Sequence, residues 1–205
     1  MENLEIDSLL QTYKGKKVLI TGHTGFKGSW LSIWLHNIGA EVVGISLDPK
    51  TDKDNFVLSK IGDKIRDYRA DIRELSKIEE IIDREKPEIL FHLAAQPIVL
   101  DSYDNPVYTF ETNVMGTVNL LEAFRKSESL QTGVFITTDK CYENIEKDYS
   151  YKETDPMGGY DPYSASKGAA ELVISSYRRS FFQDSKKKIA STRAGNVIGG
   201  GDWAP

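Results

Sequence analysis

Lys17-Val-Leu-Ile-Thr21 is a short, largely apolar run that stops on Gly22, with Gly25 and Gly28 following before a long amphipathic stretch begins. Such a run reads as a strand buried on both faces. The glycines allow a turn too tight for residues carrying side chains, and the amphipathic stretch then reads as a helix entered directly from that turn. A buried strand passing straight into a helix leaves few options. Other strands must flank it, and helices must cover both faces.

The rest of the chain alternates accordingly. The spacing predicts a helix over Phe26–Ile38, with Phe26, Trp30, Leu31, Ile33, Trp34 and Leu35 as its apolar stripe and Gly39 as its stop. Strands are expected over Glu41–Asp48, Lys64–Asp71, Glu88–Leu93, Gly133–Thr137 and Lys188–Arg193. Helices are expected over Glu74–Glu85, Pro106–Lys126 and Pro162–Phe182. Strands separated by helical stretches mean βαβ units, hence an α/β fold: a doubly wound, Rossmann-type parallel sheet with helices on both faces. Residues 1–14 read as an N-terminal extension, 15–198 as the sheet domain, and 199–205 as the start of a further region. The last stretch, Gly199-Gly-Gly-Asp-Trp-Ala-Pro205, is a glycine-rich loop just after a strand, which suggests the N-terminal part of something longer.

Composition narrows the classes. Of the 205 residues 40% are hydrophobic and 28% charged, ordinary for a globular chain, and the net charge of −5 offers no basic footprint for nucleic acid. Lys186-Lys187-Lys188 reads as a solvated loop. One cysteine, Cys141, cannot form an internal disulfide, and the acidic start Met1–Asp7 is followed by no apolar segment, so a cytoplasmic setting is expected. No apolar run approaches the ~20 residues that span a bilayer. Three scattered histidines and one cysteine make no metal site. His92 reads as a core histidine, His36 as solvent-facing, and His23 as a loop residue whose backbone matters more than its ring.

The glycine turn has a specific chemical use. Its bare backbone and the N–H groups of the following helix suit a pyrophosphate, so Gly22, Thr24, Gly25, Phe26, Lys27 and Gly28 are candidate dinucleotide-binding residues. Asp48, closing the second strand, can accept hydrogen bonds from the adenosine ribose and would repel a 2′-phosphate, which favours NAD; the alternative is a turn former before Pro49. Tyr163-Ser-Ala-Ser-Lys167 opens the long helix after the fifth strand and puts both side chains on one helical face. There the lysine is expected to lower the tyrosine pKa and make a general base. A second Tyr-x-x-x-Lys, Tyr13 to Lys17, precedes the first strand, lies at the wrong sheet edge for ligands, and is set aside.

These motifs resemble the extended short-chain dehydrogenase/reductase superfamily. With Thr138-Asp139-Lys140-Cys141-Tyr142, Leu93-Ala94-Ala95-Gln96-Pro97 and Arg193-Ala-Gly-Asn196 added, the chain from about Lys14 to Pro205 resembles the nucleotide-sugar 4,6-dehydratases, and among them those acting on CDP-glucose. The resemblance implies that Asp71 and Ile72 contact adenine and that Leu93, Ala94, Ala95, Gln96 and Thr112 lie along the cofactor. It implies that Gln96, Thr138 and Asn196 contact the substrate. It further implies a reaction in which Tyr163 and Thr138 handle the C4 hydroxyl, Lys167 holds the nicotinamide ribose, and Asp139 protonates the departing C6 hydroxyl. Lys140 stands where the family usually has glutamate; it either removes the C5 proton or stabilises the enolate. The family's usual dimer would pack Pro106–Lys126 and Pro162–Phe182 into a four-helix bundle. A 4-epimerase and a non-catalytic NAD-binding fragment are the competing readings, and Asp139 and Lys140 argue against the first, since an epimerase needs no acid for a leaving group at C6.

Overall fold

In a computed structural model of the chain, which describes residues 8 and 10–203, each expected strand segment contributes one strand to a single parallel sheet. The strands are β1 (Lys17–Thr21), β2 (Glu41–Ser46), β3 (Arg66–Arg69), β4 (Ile89–His92), β5 (Thr132–Thr138) and β6 (Lys188–Ala194), in the order β3-β2-β1-β4-β5-β6. The order reverses between β1 and β4, and such a switch point opens a crevice at the carboxyl ends of the strands. The acidic start Met1–Asp7, part of the expected N-terminal extension, and the terminal Ala204-Pro205 lie outside the described residues.

The helices are α1 (Phe26–Asn37), α2 (Asn55–Ser59), α3 (Leu75–Glu85), α4 (Val99–Asp104), α5 (Pro106–Phe110), α6 (Gly116–Lys126) and α7 (Pro162–Phe181). The expected helix Pro106–Lys126 is interrupted by one π turn, Glu111–Met115. The short α2 and α4 carry too few residues to show a period and were not expected. β2 ends at Ser46, so Asp48 stands in the loop beyond it.

Alternation along β1 sorts the core. Leu19 faces the layer of α3, α6 and α7 with Ile78, Ile82, Leu121, Phe124 and Ile174. Val18 and Ile20 face the opposite layer with Leu35, Ala40 and Val42. α1 corrects its expected stripe: its buried positions are Gly28, Ser29, Ser32 and Leu35, while Trp30 and Trp34 remain 47% and 43% exposed. Small residues let the start of the helix lie close to the sheet, while Leu35 further along packs with Val18 and Ile20 of β1. Tyr13 packs edge-on against Trp34, and Lys17 begins β1, so that Tyr-x-x-x-Lys pair does lie at the sheet edge opposite the crevice. No helix among the described residues is long and apolar enough to cross a membrane.

Candidate active site

The three glycines divide their duties. Gly22 has φ +77, and a Cβ there would come within 2.7 Å of Ala94 N, where the turn after β4 crosses it. A Cβ on Gly28 would lie 2.1 Å from Gly22 O. Both glycines are required by the chain's own packing. Gly25 is different: its φ is −74, and an added Cβ would meet only Gly22 O at 3.4 Å. It also caps α1 without a side-chain hydrogen bond, leaving the first N–H groups of the helix open. Bare backbone with open amides at a helix N-terminus fits a pyrophosphate. Thr24 fastens the turn to β2 through Ser46 Oγ (2.7 Å) and Leu47 O (3.0 Å), and the Phe26 ring lies under Gly199. Half-buried Lys27 has its pKa lowered by burial, opposed by Asp202.

His23 departs from its expected role. Its ring is fully buried, donating from Nε2 to Asp67 Oδ1 (2.8 Å) and standing edge-on to Phe56. At the ends of β2 and β3, Asp48 is 85% exposed and meets Arg69 Nε at 3.1 Å. The Asp71 carboxylate accepts from Arg73 N, Nε and Nη2. Burial alone would raise its pKa, but the Arg73 hydrogen bonds outweigh that and hold it low. The Ile72 side chain is buried against Gly116, with Cδ1 2.5 Å from where a Cβ there would be.

On the other side of the crevice, β5 ends in Thr138, whose hydroxyl donates to Asp139 Oδ1 (3.0 Å) and accepts from Lys140 N (3.3 Å), capping the 3-10 turn Asp139–Cys141. α7 begins beside this turn. Pro162 occupies its first turn, and Asp161 caps it by accepting from Ser164 N (2.9 Å) and Ser164 Oγ (2.6 Å). Tyr163 and Lys167 are thereby held nine-tenths buried on one face.

The electrostatics correct one expectation. Burial, with Asp139 and Asp161 adding to it, raises the Tyr163 pKa above its usual 10; the nearby Thr138 hydroxyl is what pulls it down. Lys167 donates instead to Ile136 O at 3.2 Å, and burial together with the charge of Lys27 lowers its own pKa to about 8. Lys140 is exposed. Cys141 is buried and its thiol is pushed up to about 11, which removes any reactive thiolate. The register pairs Thr138 with Ala194, so exposed Asn196 leaves β6 beside the turn that carries Asp139.

The floor of the crevice is a polar lattice that sequence reading missed in part. Asn113, in the π turn, donates to Gln96 O (3.0 Å) and Ser166 Oγ (2.8 Å) and accepts from Gln96 N (2.8 Å). It ties the turn after β4 to the residue preceding Lys167. The only sequence signal was a mid-helix asparagine, a poor helix former kept in a long helix. The Gln96 side-chain amide donates to Ile98 O and to Thr109 Oγ1 of α5, which ties the turn after β4 to that helix. Thr112 Oγ1 is buried with no hydrogen-bond partner among the described residues, an orphan group that suits a polar ligand. His92 is buried between Thr21 Oγ1 (2.7 Å, at Nδ1) and Thr117 Oγ1 (3.2 Å, at Nε2). Thr117 gives its proton to Asn113 O, so His92 Nε2 carries the hydrogen and Nδ1 accepts from Thr21.

Behind the 3-10 turn, buried Glu171 of α7 accepts from Thr137 Oγ1 (2.5 Å), Ser191 Oγ (3.0 Å) and Arg193 Nη2 (3.0 Å). Arg193 continues to Tyr142 OH (3.0 Å). This network fixes both ends of the segment carrying Thr138, Asp139 and Lys140.

A β3-β2-β1-β4-β5-β6 parallel sheet, with a glycine turn after β1 and a tyrosine-lysine pair heading the helix after β5, defines a Rossmann-type domain of the extended short-chain dehydrogenase/reductase class. The chain belongs to the GDP-mannose 4,6 dehydratase family, whose profile matches residues 19–197. It is 52% identical over 197 residues to a CDP-glucose 4,6-dehydratase of Salmonella typhimurium, covering 94% of this chain and 55% of that protein. It is 37% identical to a CDP-paratose 2-epimerase of Salmonella typhi over 80% of this chain and 54% of that one. A crystal structure of Thermus thermophilus UDP-glucose 4-epimerase in complex with NAD superposes with a TM-score of 0.74 at 31% identity, covering 86% of this chain and 54% of that chain. The chain thus spans about half the length of the relatives it matches.

Proposed function

We propose that the protein carrying this chain is an NAD-dependent nucleotide-sugar 4,6-dehydratase, a hydro-lyase that converts CDP-D-glucose to CDP-4-dehydro-6-deoxy-D-glucose and water. The carrying observation is the Thr138-Asp139-Lys140 turn set against Tyr163, in a chain 52% identical to an enzyme of that name. Residues 15–198 would supply the dinucleotide half, and those from 199 onward would begin the sugar-binding part.

When bound, NAD supplies the hydride acceptor for C4 and the donor for C6, so it is regenerated. Gly22, Gly25, Gly28 and the first amides of α1 would hold its pyrophosphate, Asp48 its adenosine ribose, and Lys167 its nicotinamide ribose. Tyr163 takes the C4 hydroxyl proton while Thr138 shares that hydrogen bond. With a ketone at C4 the C5 proton becomes acidic, and Asp139, solvent-exposed beside Thr138, delivers a proton to the leaving C6 hydroxyl. Exposed Lys140 suits electrostatic stabilisation of the enolate better than the role of base. Asn196 is a substrate contact on this reading.

A dimer through α5–α6 and α7 is part of the same proposal, supported by exposed Val107 and Leu172 on those helices. A cytoplasmic setting accords with the single buried, unpaired cysteine. The test is incubation of the whole protein with CDP-glucose and NAD, followed by the alkali-induced absorbance of a 4-keto-6-deoxy sugar. Asp139→Asn should abolish that product while exchange of the C4 hydride survives. Continued dehydration by this variant would overturn the assignment of Asp139, and 4-epimerised product from the unmodified protein would favour the epimerase.

A further inference from the structure

The cofactor reading leaves one cation unexplained at the rim where the adenosine ribose would lie. Arg69 is the last residue of β3 and is in register with Ser46, the last residue of β2. Its Nη2 donates to Asp67 Oδ2 at 2.8 Å, and its guanidinium carbon stands 5.1 Å from the centre of the Phe56 ring. Asp67 is itself held from behind, because its Oδ1 meets buried His23 Nε2 at 2.8 Å. A polar line therefore runs from the glycine turn through Asp67 and Arg69 to Asp48, whose Oδ1 lies 3.1 Å from Arg69 Nε.

The two ends of the Asp48–Arg69 pair are not equivalent. Arg69 has two anchors besides Asp48, and its side chain is 34% exposed; Asp48 is 85% exposed and, among the described residues, meets only Arg69. The arginine is the fixed partner and the aspartate the guided one. We propose that Arg69 is a specificity-determining residue for the dinucleotide: it aims Asp48 at the ribose hydroxyls, and it is the cation that a 2′-phosphate would meet if that carboxylate were absent. This inference rests on the NAD reading above.

The physical asymmetry follows from charge. With Asp48 in place, its carboxylate is ion-paired with Arg69 and repels a phosphate brought beside it, so the unphosphorylated ribose is selected. With Asp48 neutralised, Arg69 keeps its place through Asp67 and Phe56, and its Nε side loses the competing carboxylate. A guanidinium with a free donor suits a phosphate, with which its hydrogen bonds are charge-assisted.

The experiment titrates NADH and NADPH into the whole protein, following the fluorescence of the reduced nicotinamide, with thermal melts to confirm folding. The unmodified protein should bind NADH more tightly. Asp48→Asn should gain affinity for NADPH by about tenfold, the effect of one charge-assisted hydrogen bond. Adding Arg69→Gln to Asp48→Asn should remove that gain, while Arg69→Lys in the same background should keep part of it. Equal NADPH affinity in Asp48→Asn with and without Arg69 would overturn the proposal while leaving the NAD reading intact. Failure of the unmodified protein to bind either dinucleotide would overturn both. If Arg69→Gln fails to fold, the Arg69→Lys double variant decides, and there too an unchanged NADPH affinity overturns the proposal.

Discussion

The Cβ that Gly44 lacks would lie 2.4 Å from Cγ of His23, so the imidazole of the glycine turn occupies space left open in the middle of β2. A strand glycine is ordinarily a weakness; here it admits a ring that reaches Asp67. Gly44→Ala should force the ring out or bend the strand, costing about 1–3 kcal/mol. Urea denaturation measures this, and an unchanged midpoint would show that the ring has another place to go.

Gly25 and Gly28 should respond in opposite ways to alanine. Gly28→Ala places a methyl 2.1 Å from Gly22 O and should lower the melting temperature sharply. Gly25→Ala meets only an ordinary contact, so the fold should hold while dinucleotide binding falls. Calorimetric titration with NADH beside a thermal melt separates the two.

Thr138, rather than Lys167, is the group that pulls the Tyr163 pKa down against burial. Thr138→Val should therefore raise that pKa further. Because the base form is the deprotonated one, the rising limb of kcat/KM against pH should move to higher pH. Tyr163→Phe should lose the reaction at every pH. A limb that stays put in Thr138→Val would assign it to another group.

His92 is neutral in the fold because burial, with Lys167 adding to it, lowers its pKa to about 3 from 6.5. The unfolded chain binds a proton below pH 6.5 and the folded chain does not until about 3, so stability from this group falls as pH drops through that window. A His92→Gln variant should show a shallower loss of stability between pH 6 and 4 than the parent, the difference approaching about 1.4 kcal/mol per pH unit. Parallel slopes would mean that the imidazole protonates in place.

Glu171 and Arg193 form a pair buried behind the catalytic turn, at 3% and 15% side-chain exposure. Glu171→Ala removes the carboxylate that Arg193, Thr137 and Ser191 share and should cost about 3 kcal/mol. Glu171→Gln keeps acceptors for Thr137 and Ser191 and should cost less. Equal losses in chemical denaturation would show that the pair's charge contributes nothing.

Much of this protein follows from local chemistry. Apolar runs the length of a strand, punctuated by glycine and amphipathic stretches, specify the parallel sheet, because burial on both faces leaves no other use for them. Tyr163 and Lys167 are legible for the same reason: a spacing of four residues on a helix is a distance. The short α2 and α4, the close small-residue face of α1 and the π turn at Glu111–Met115 are not, since each depends on what lies across the fold. Three features needed tertiary structure outright: Asn113 clasping the turn after β4, His23 inserted beside Gly44, and Lys167 turned to Ile136 O instead of acting on Tyr163. Sequence alone placed chemical groups at helix ends and strand ends. Burial and long-range hydrogen bonds, which only the packed chain defines, decided which of those groups are spent on the fold and which are left for a ligand.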